Sequence, residues 1–134
     1  KHVNSISQEG TAIIYSNLSN LDQQSAITAM QNTVKLFAKM PLKSIHSLIN
    51  MEGLELTREL ISQIRAVGIA NSPYTKATAI CGLNPMARFL ANSAIKLTKR
   101  NAKLFATIEE GKAWLHEENQ RFGMEELIKN RKIA

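Results

Sequence analysis

A single cysteine, Cys81, stands among 134 residues. An intrachain disulfide and a multi-cysteine metal site are therefore both excluded. Aromatic residues make up only 5%, and no nucleic-acid recognition motif is present. No apolar run approaches the roughly 20 residues that a bilayer-spanning helix needs. Neither G-x-G-x-x-G nor G-x-x-x-x-G-K-[ST] occurs, so no phosphate cradle is signalled. The histidines His2, His46 and His116 are scattered and show no metal-binding or metalloprotease spacing. These absences leave no metal, no cofactor and no ordered catalytic set, and the chain reads as a protein without catalysis of its own.

What is present suits one globular domain. Hydrophobic residues reach 44% and charged residues 21%, both near the globular norm. A chain of this length buries roughly two-thirds of its unfolded surface, enough for a core without covalent staples. The net charge is +6. The excess sits in residues 35–103, where the only acids are Glu52, Glu55 and Glu59. A basic middle of this kind attracts anions in general, but nothing in it specifies a nucleic acid. No charged-then-apolar leader opens the sequence, and the lone thiol suits the cytoplasm. A leader removed earlier stays open.

Strand-like and helical patterns alternate along the chain. Thr11–Ser16 reads as a strand, with Val3 and Ile6 in an earlier strand that pairs with it as a hairpin. Ser19–Asp22 reads as a helix start, and Ile27, Met30, Val34 and Phe37 mark the buried face before Pro41 stops the helix. Ser44–Ile49 is a second core strand. Leu56, Leu60, Ile61, Ile64 and Val67 form the next helical stripe, with Gly68 as its stop and Asn71–Pro73 as a loop. Ala77–Cys81 reads as a buried strand. Asn84 and Pro85 open a helix as cap and first residue, and Phe89, Leu90 and Leu97 supply its apolar side. Lys103–Ala106 is a last short strand. Thr107–Glu110 matches a capping box for a closing helix buried through Ala113, Trp114 and Leu115. Phe122–Gly123 breaks that helix. The division expected is a domain over 1–122 and a C-terminal helical extension or tail over 123–134.

Few side chains invite a chemical role. His46 reads as structural and His116 as part of a solvated face. Cys81 precedes a helix whose amides would lower its pKa, yet a buried, inert thiol is the ordinary case. Glu55 and Glu59, four apart, would share a helical face and repel slightly. Lys96, Lys99, Arg100 and Lys103 form a basic cluster at a helix end and the following strand, and the first three suit a helix C-terminus electrostatically.

Several stretches together resemble the SpoIIAA-like group, which is similar to STAS (anti-sigma-factor antagonist) and CRAL-TRIO domains. They are Ile14–Ser16, Ser47–Asn50, Tyr74–Ala77, Ile80–Gly82 and, most specific, Lys103–Leu115. The resemblance covers about residues 3–118. It implies a single α/β domain with a mostly parallel four- or five-stranded sheet, an N-terminal hairpin strand and helices packed around the sheet. In the phosphoregulated antagonists an Asp-Ser-Ser-Gly-type motif opens the helix after the central strand, and its second serine takes phosphate. Asn50-Met51-Glu52-Gly53 falls there, with Asn50 at the Asp position and Glu52 at the acceptor. Glutamate cannot be phosphorylated, and it carries one charge where phosphoserine carries nearly two.

The resemblance implies a partner-binding face around that helix start: Glu52, Gly53, Glu55 and Thr57. The leading expectation is a STAS-like interaction or regulatory module with an unnamed protein partner. The alternative is a carrier of a small lipid or apolar ligand, with Phe37, Met40, Met86 and Phe89 lining its pocket. A homodimer is compatible with either, since symmetric pairs are common.

Overall fold

A computed structural model describes residues 2–98 and 100–133; the side chains of Ala94, Lys96, Leu97, Thr98, Lys132 and Ile133 fall outside that description. The readings made for Lys96, Leu97 and Lys99 thus lie outside the described residues.

The chain opens with a hairpin of β1 (Val3–Gln8) and β2 (Thr11–Asn17), antiparallel from Val3 opposite Ser16 to Gln8 opposite Thr11. Glu9 and Gly10 form its two-residue turn with φ of 49° and 89°. Left-handed values at both positions match the turn to the twist of the flanking strands. There follow α1 (Gln23–Phe37), β3 (Ile45–Asn50), α2 (Arg58–Asn71), β4 (Thr75–Cys81), α3 (Pro85–Thr98), β5 (Ala102–Phe105) and α4 (Ile108–Ile133). The sheet has five strands in the order β1-β2-β3-β4-β5, with β2 to β5 parallel. Each parallel strand adds on the same side of the one before. Right-handed crossovers therefore set α1, α2 and α3 on one face.

Strand alternation feeds two cores. Leu18, Met30, Met51 and Leu60 pack on the face of the three crossover helices. Ile13, Leu48, Ala79, Cys81 and Leu115 pack under α4, where the Trp114 ring lies 5.6 Å from that of Phe105. Gly111 lets α4 lie close on the sheet: a Cβ there would lie 2.6 Å from Cys81 Sγ and 2.8 Å from Leu48 Cδ1.

The Asn84 and Thr107 start signals hold, whereas the first start shifts to the end of Ser19–Asp22: Asp22 is itself the cap, its Oδ1 accepting from Ser25 N at 2.7 Å, and no acid sits in the first turn. Asn84 Oδ1 accepts from Ala87 N at 2.8 Å, and Pro85 is the first helical residue. In the capping box, Glu110 N donates to Thr107 Oγ1 at 3.2 Å and Thr107 N to Glu110 Oε1 at 3.1 Å.

Several expectations are corrected. First, α2 starts at Arg58 because Thr57 Oγ1 caps it, accepting from Leu60 N at 3.1 Å. Glu55 is outside the helix, so Glu55 and Glu59 share no helical face. Second, Gly68 does not stop α2; the helix runs to Asn71. The glycine is there for space, since a Cβ would lie 2.2 Å from an Arg100 guanidinium nitrogen. Third, Phe89 and Leu90 point outward at 73% and 59% exposure. Buried Leu83 and the Asn84 cap fix the helix phase so that Ala87 and Ala91 turn inward instead. Fourth, α4 continues through Phe122–Gly123 as one 26-residue helix. Arg121 holds it across that point, bonding Glu118 at 2.7 Å and Glu125 at 2.8 Å. Within α4, Ala113 is exposed while Gly111, Leu115 and Glu118 are buried.

Candidate functional site

The four site residues expected from the sequence lie along the segment joining β3 to α2. Asn50, at the end of β3, is buried and donates through Nδ2 to Tyr15 Oη at 3.2 Å. Its Oδ1 accepts from Glu52 N at 3.0 Å. The Glu52 carbonyl accepts from Asn20 N at 2.8 Å. Gly82, with φ of 89°, sits so close that a Cβ would lie 2.8 Å from Glu52 N. The segment is thus wedged between its neighbours, and Glu52, Gly53 and Glu55 stay exposed on its rim. Thr57 does not join them. It is half-buried, and besides capping α2 it donates to Gln23 Oε1.

A second feature lies on the same face of the sheet. The α1 and α2 helices are linked by Gln23–Glu59 and Gln31–Gln63 side-chain bonds, whereas α3 leans on β5. Phe37 on α1, Ile64 and Gly68 on α2 and Ile95 on α3 line a cavity of about 570 Å³ above β3 and β4, within the range of small-molecule pockets. The strand register gives it a direction. Ile49 pairs with Ile80, and Ser47 with Thr78 one step lower. With Met51 and Ile64, the isoleucines make an apolar end at the strands' carboxyl termini. Ser47 and Thr78, with Asn71, Lys43, Lys76 and Arg100, make a polar end at their amino termini. Of the pocket residues expected from the sequence, Phe37 lines the cavity. Met40 does not, and Met86 and Phe89 point to solvent.

Asn71 is the unusual group at the polar end. It is 8% exposed. Thr33 Oγ1 spends its proton on the Met30 carbonyl at 2.6 Å, so it can only accept from Asn71. Asn71 Nδ2 donates to it at 3.0 Å. That fixes the amide's orientation and leaves Oδ1 buried without a donor among the described residues. Burial also lowers the Arg100 pKa from the usual guanidinium value, though the group remains a cation.

The sequence read Asn71 as loop, Gly68 as a stop and Arg100 as a helix-end charge. The signal for Asn71 was there: it falls four after Val67 and seven after Ile64, a polar residue on the buried stripe.

Other titratable groups are placed by packing. His46 is buried in β3 with Nε2 unpartnered among the described residues. Burial first, then the Lys76 charge, lowers its pKa, while Glu118 opposes them. His116 is no solvated residue. Its Nδ1 bonds Thr11 Oγ1 at 2.8 Å and its Nε2 lies 3.2 Å from Glu9, tying α4 to the hairpin. The Cys81 thiol is pushed up to about 12 by burial and by Glu110 and Glu109, opposite to the lowering expected from a following helix. Arg100 and Lys103 do not form one patch: Arg100 lies on Gly68, whereas Lys103 Nζ sits 5.8 Å from the Phe105 ring under α4. Among the described residues no cluster of His, Cys, Asp and Glu could hold a metal, and no helix is long and apolar enough to cross a membrane.

No family model matches the chain, and no curated protein matches it. Among solved structures it is similar to an uncharacterized protein of the DUF3478 family, with a SpoIIAA-like fold, from Shewanella loihica PV-4. The two share 16% identity over 84% of this chain and 91% of that one, with a TM-score of 0.67. The strand order, the hairpin and the one-sided crossovers agree with that likeness, and the chain has a SpoIIAA-like fold.

Proposed function

We propose that this chain is a non-enzymatic binding module that holds a small apolar or amphipathic molecule in the cleft between α2 and α3. The observation that carries the reading is the cavity of about 570 Å³, apolar at one end and polar at the other. A well-packed domain this size has few internal voids larger than a water molecule. The polar groups that line it are hydroxyls, amides and cations, which orient a ligand and offer no nucleophile–base pair. A cytoplasmic home suits the single thiol. Native mass spectrometry of freshly purified protein tests the reading: a retained small molecule supports it. Failure of the protein to retain any molecule, or to take up a neutral apolar dye, refutes it.

A second reading is regulatory capture of a protein through Glu52, Gly53 and Glu55. Their shared exposure on a rigid segment favours it. A Glu52→Lys, Glu55→Lys variant should lose a stoichiometric partner in a pull-down, and unchanged capture would remove this surface from consideration.

A further inference from the structure

We infer that the outer face of α4 pairs two copies of this chain as antiparallel helices. Buried Gly111, Leu115 and Glu118 mark the side of α4 that lies on the sheet, and half-buried Phe122 continues that row. On the opposite side a second row runs through Glu117, Gln120, Met124, Leu127, Ile128 and Arg131, all of them exposed. Spacings of three and four recur along it, as they do in the seam between two packed helices. Its apolar centre is Met124, Leu127 and Ile128, at 60%, 60% and 49% exposure.

The two ends of the row choose its occupant. Glu117 closes one end and Arg131 the other, and neither has an ion pair among the described residues. An anionic lipid surface favours cations beside an apolar stripe, and the acid at Glu117 opposes it. A second copy answers both ends. When the helices lie antiparallel, the apolar centres meet, and each copy's Arg131 comes toward Gln120 and Glu117 of the other. A parallel pair would set acid against acid and base against base. The antiparallel contact is the same patch on both copies, so it closes at two. Each sheet lies on the far side of its own helix and does not obstruct the other copy. One helix against one helix is a small interface, which sets an expected dissociation constant of about 10–100 µM.

The test is sedimentation velocity on the full chain from about 5 µM to about 500 µM, a range that brackets that constant. The sedimentation coefficient should climb from the monomer value to the dimer value, and less readily as salt rises. Leu127→Glu should weaken association by at least about tenfold, because two leucines leave the contact in each dimer. Glu117→Arg and Arg131→Glu should each weaken it by about tenfold when alone. Mixed in equal amounts, these two variants should pair with each other as tightly as the unaltered chain does, because every end pair is again opposite in sign. That recovery also shows that both variants fold. A chain that stays monomeric at the highest concentration overturns the pairing. If that monomer then sediments with phosphatidylglycerol-containing vesicles, the row belongs to a membrane instead. A dimer that Leu127→Glu or Glu117→Arg leaves equally tight, or one that mixing fails to restore, overturns the antiparallel seam as well.

Discussion

Replacing Gly111 by alanine places a methyl group where α4 crosses the sheet, 2.6 Å from Cys81 Sγ and 2.8 Å from Leu48 Cδ1. Both neighbours are fully buried, so neither can swing into solvent. Overpacking of this kind costs about 1–3 kcal/mol. Alanine returns about 1 kcal/mol through helix propensity. The net expectation is a loss of up to about 2 kcal/mol. Cys81→Ala alone leaves a small void and costs a similar amount, about 1–2 kcal/mol. Together the two changes compensate, because the new methyl enters the space the sulfur vacates. The double variant should be at least about 1 kcal/mol more stable than the sum of the singles predicts. Urea unfolding followed by Trp114 fluorescence measures all four corners of the cycle. Gly111→Ala with raised stability, or strict additivity in the double variant, would refute the close-approach argument.

Stability should fall as pH drops below about 6.5, the ordinary histidine value. His46 has a lowered pKa in the folded state, so the unfolded chain binds the extra proton first and stability rises with pH across that window. His46→Gln should flatten that part of the profile in urea titrations, and an unchanged slope would assign the effect elsewhere. With its pKa near 12, the Cys81 thiol should resist an aromatic disulfide reagent in native buffer and react fully in denaturant. Prompt native reaction would contradict its burial. Gly123→Ala adds a methyl that meets nothing within 4 Å. It should raise stability by up to about 1 kcal/mol, seen as a higher urea midpoint, and a lower midpoint would mean the helix bends there.

Signals confined to one turn of chain were legible. The Asn84–Pro85 start and the Thr107–Glu110 box each depend on residues three apart, and both stand as read. The hairpin and the alternation of strand and helix were legible for the same reason, because each element carries its own period. What escaped was set by contacts distant in sequence. Gly68 ends nothing; it makes room for Arg100, which is 32 positions away in the chain. Phe89 and Leu90 looked like the buried side of α3, but Leu83 and a cap fixed the opposite phase. The surface segment at Glu52, Gly53 and Glu55 was named from the sequence; a pocket was expected too, but of the four residues expected to line it only Phe37 does. A void is a property of how α2 and α3 diverge, and no single stretch of residues encodes that.

The continuity of α4 has a mechanical meaning. One helix both seals the sheet through Gly111 and Leu115 and runs on, exposed, from Gly123 to Arg131. At 26 residues and 1.5 Å per residue it is about 39 Å long, roughly twice the length of the strands it crosses. There is no loop between the part that packs and the part that projects. A load applied to the projecting half is therefore not absorbed by a slack tether. It arrives as torque on the contacts with Cys81 and Leu48, so the outer half is a lever whose fulcrum is the core.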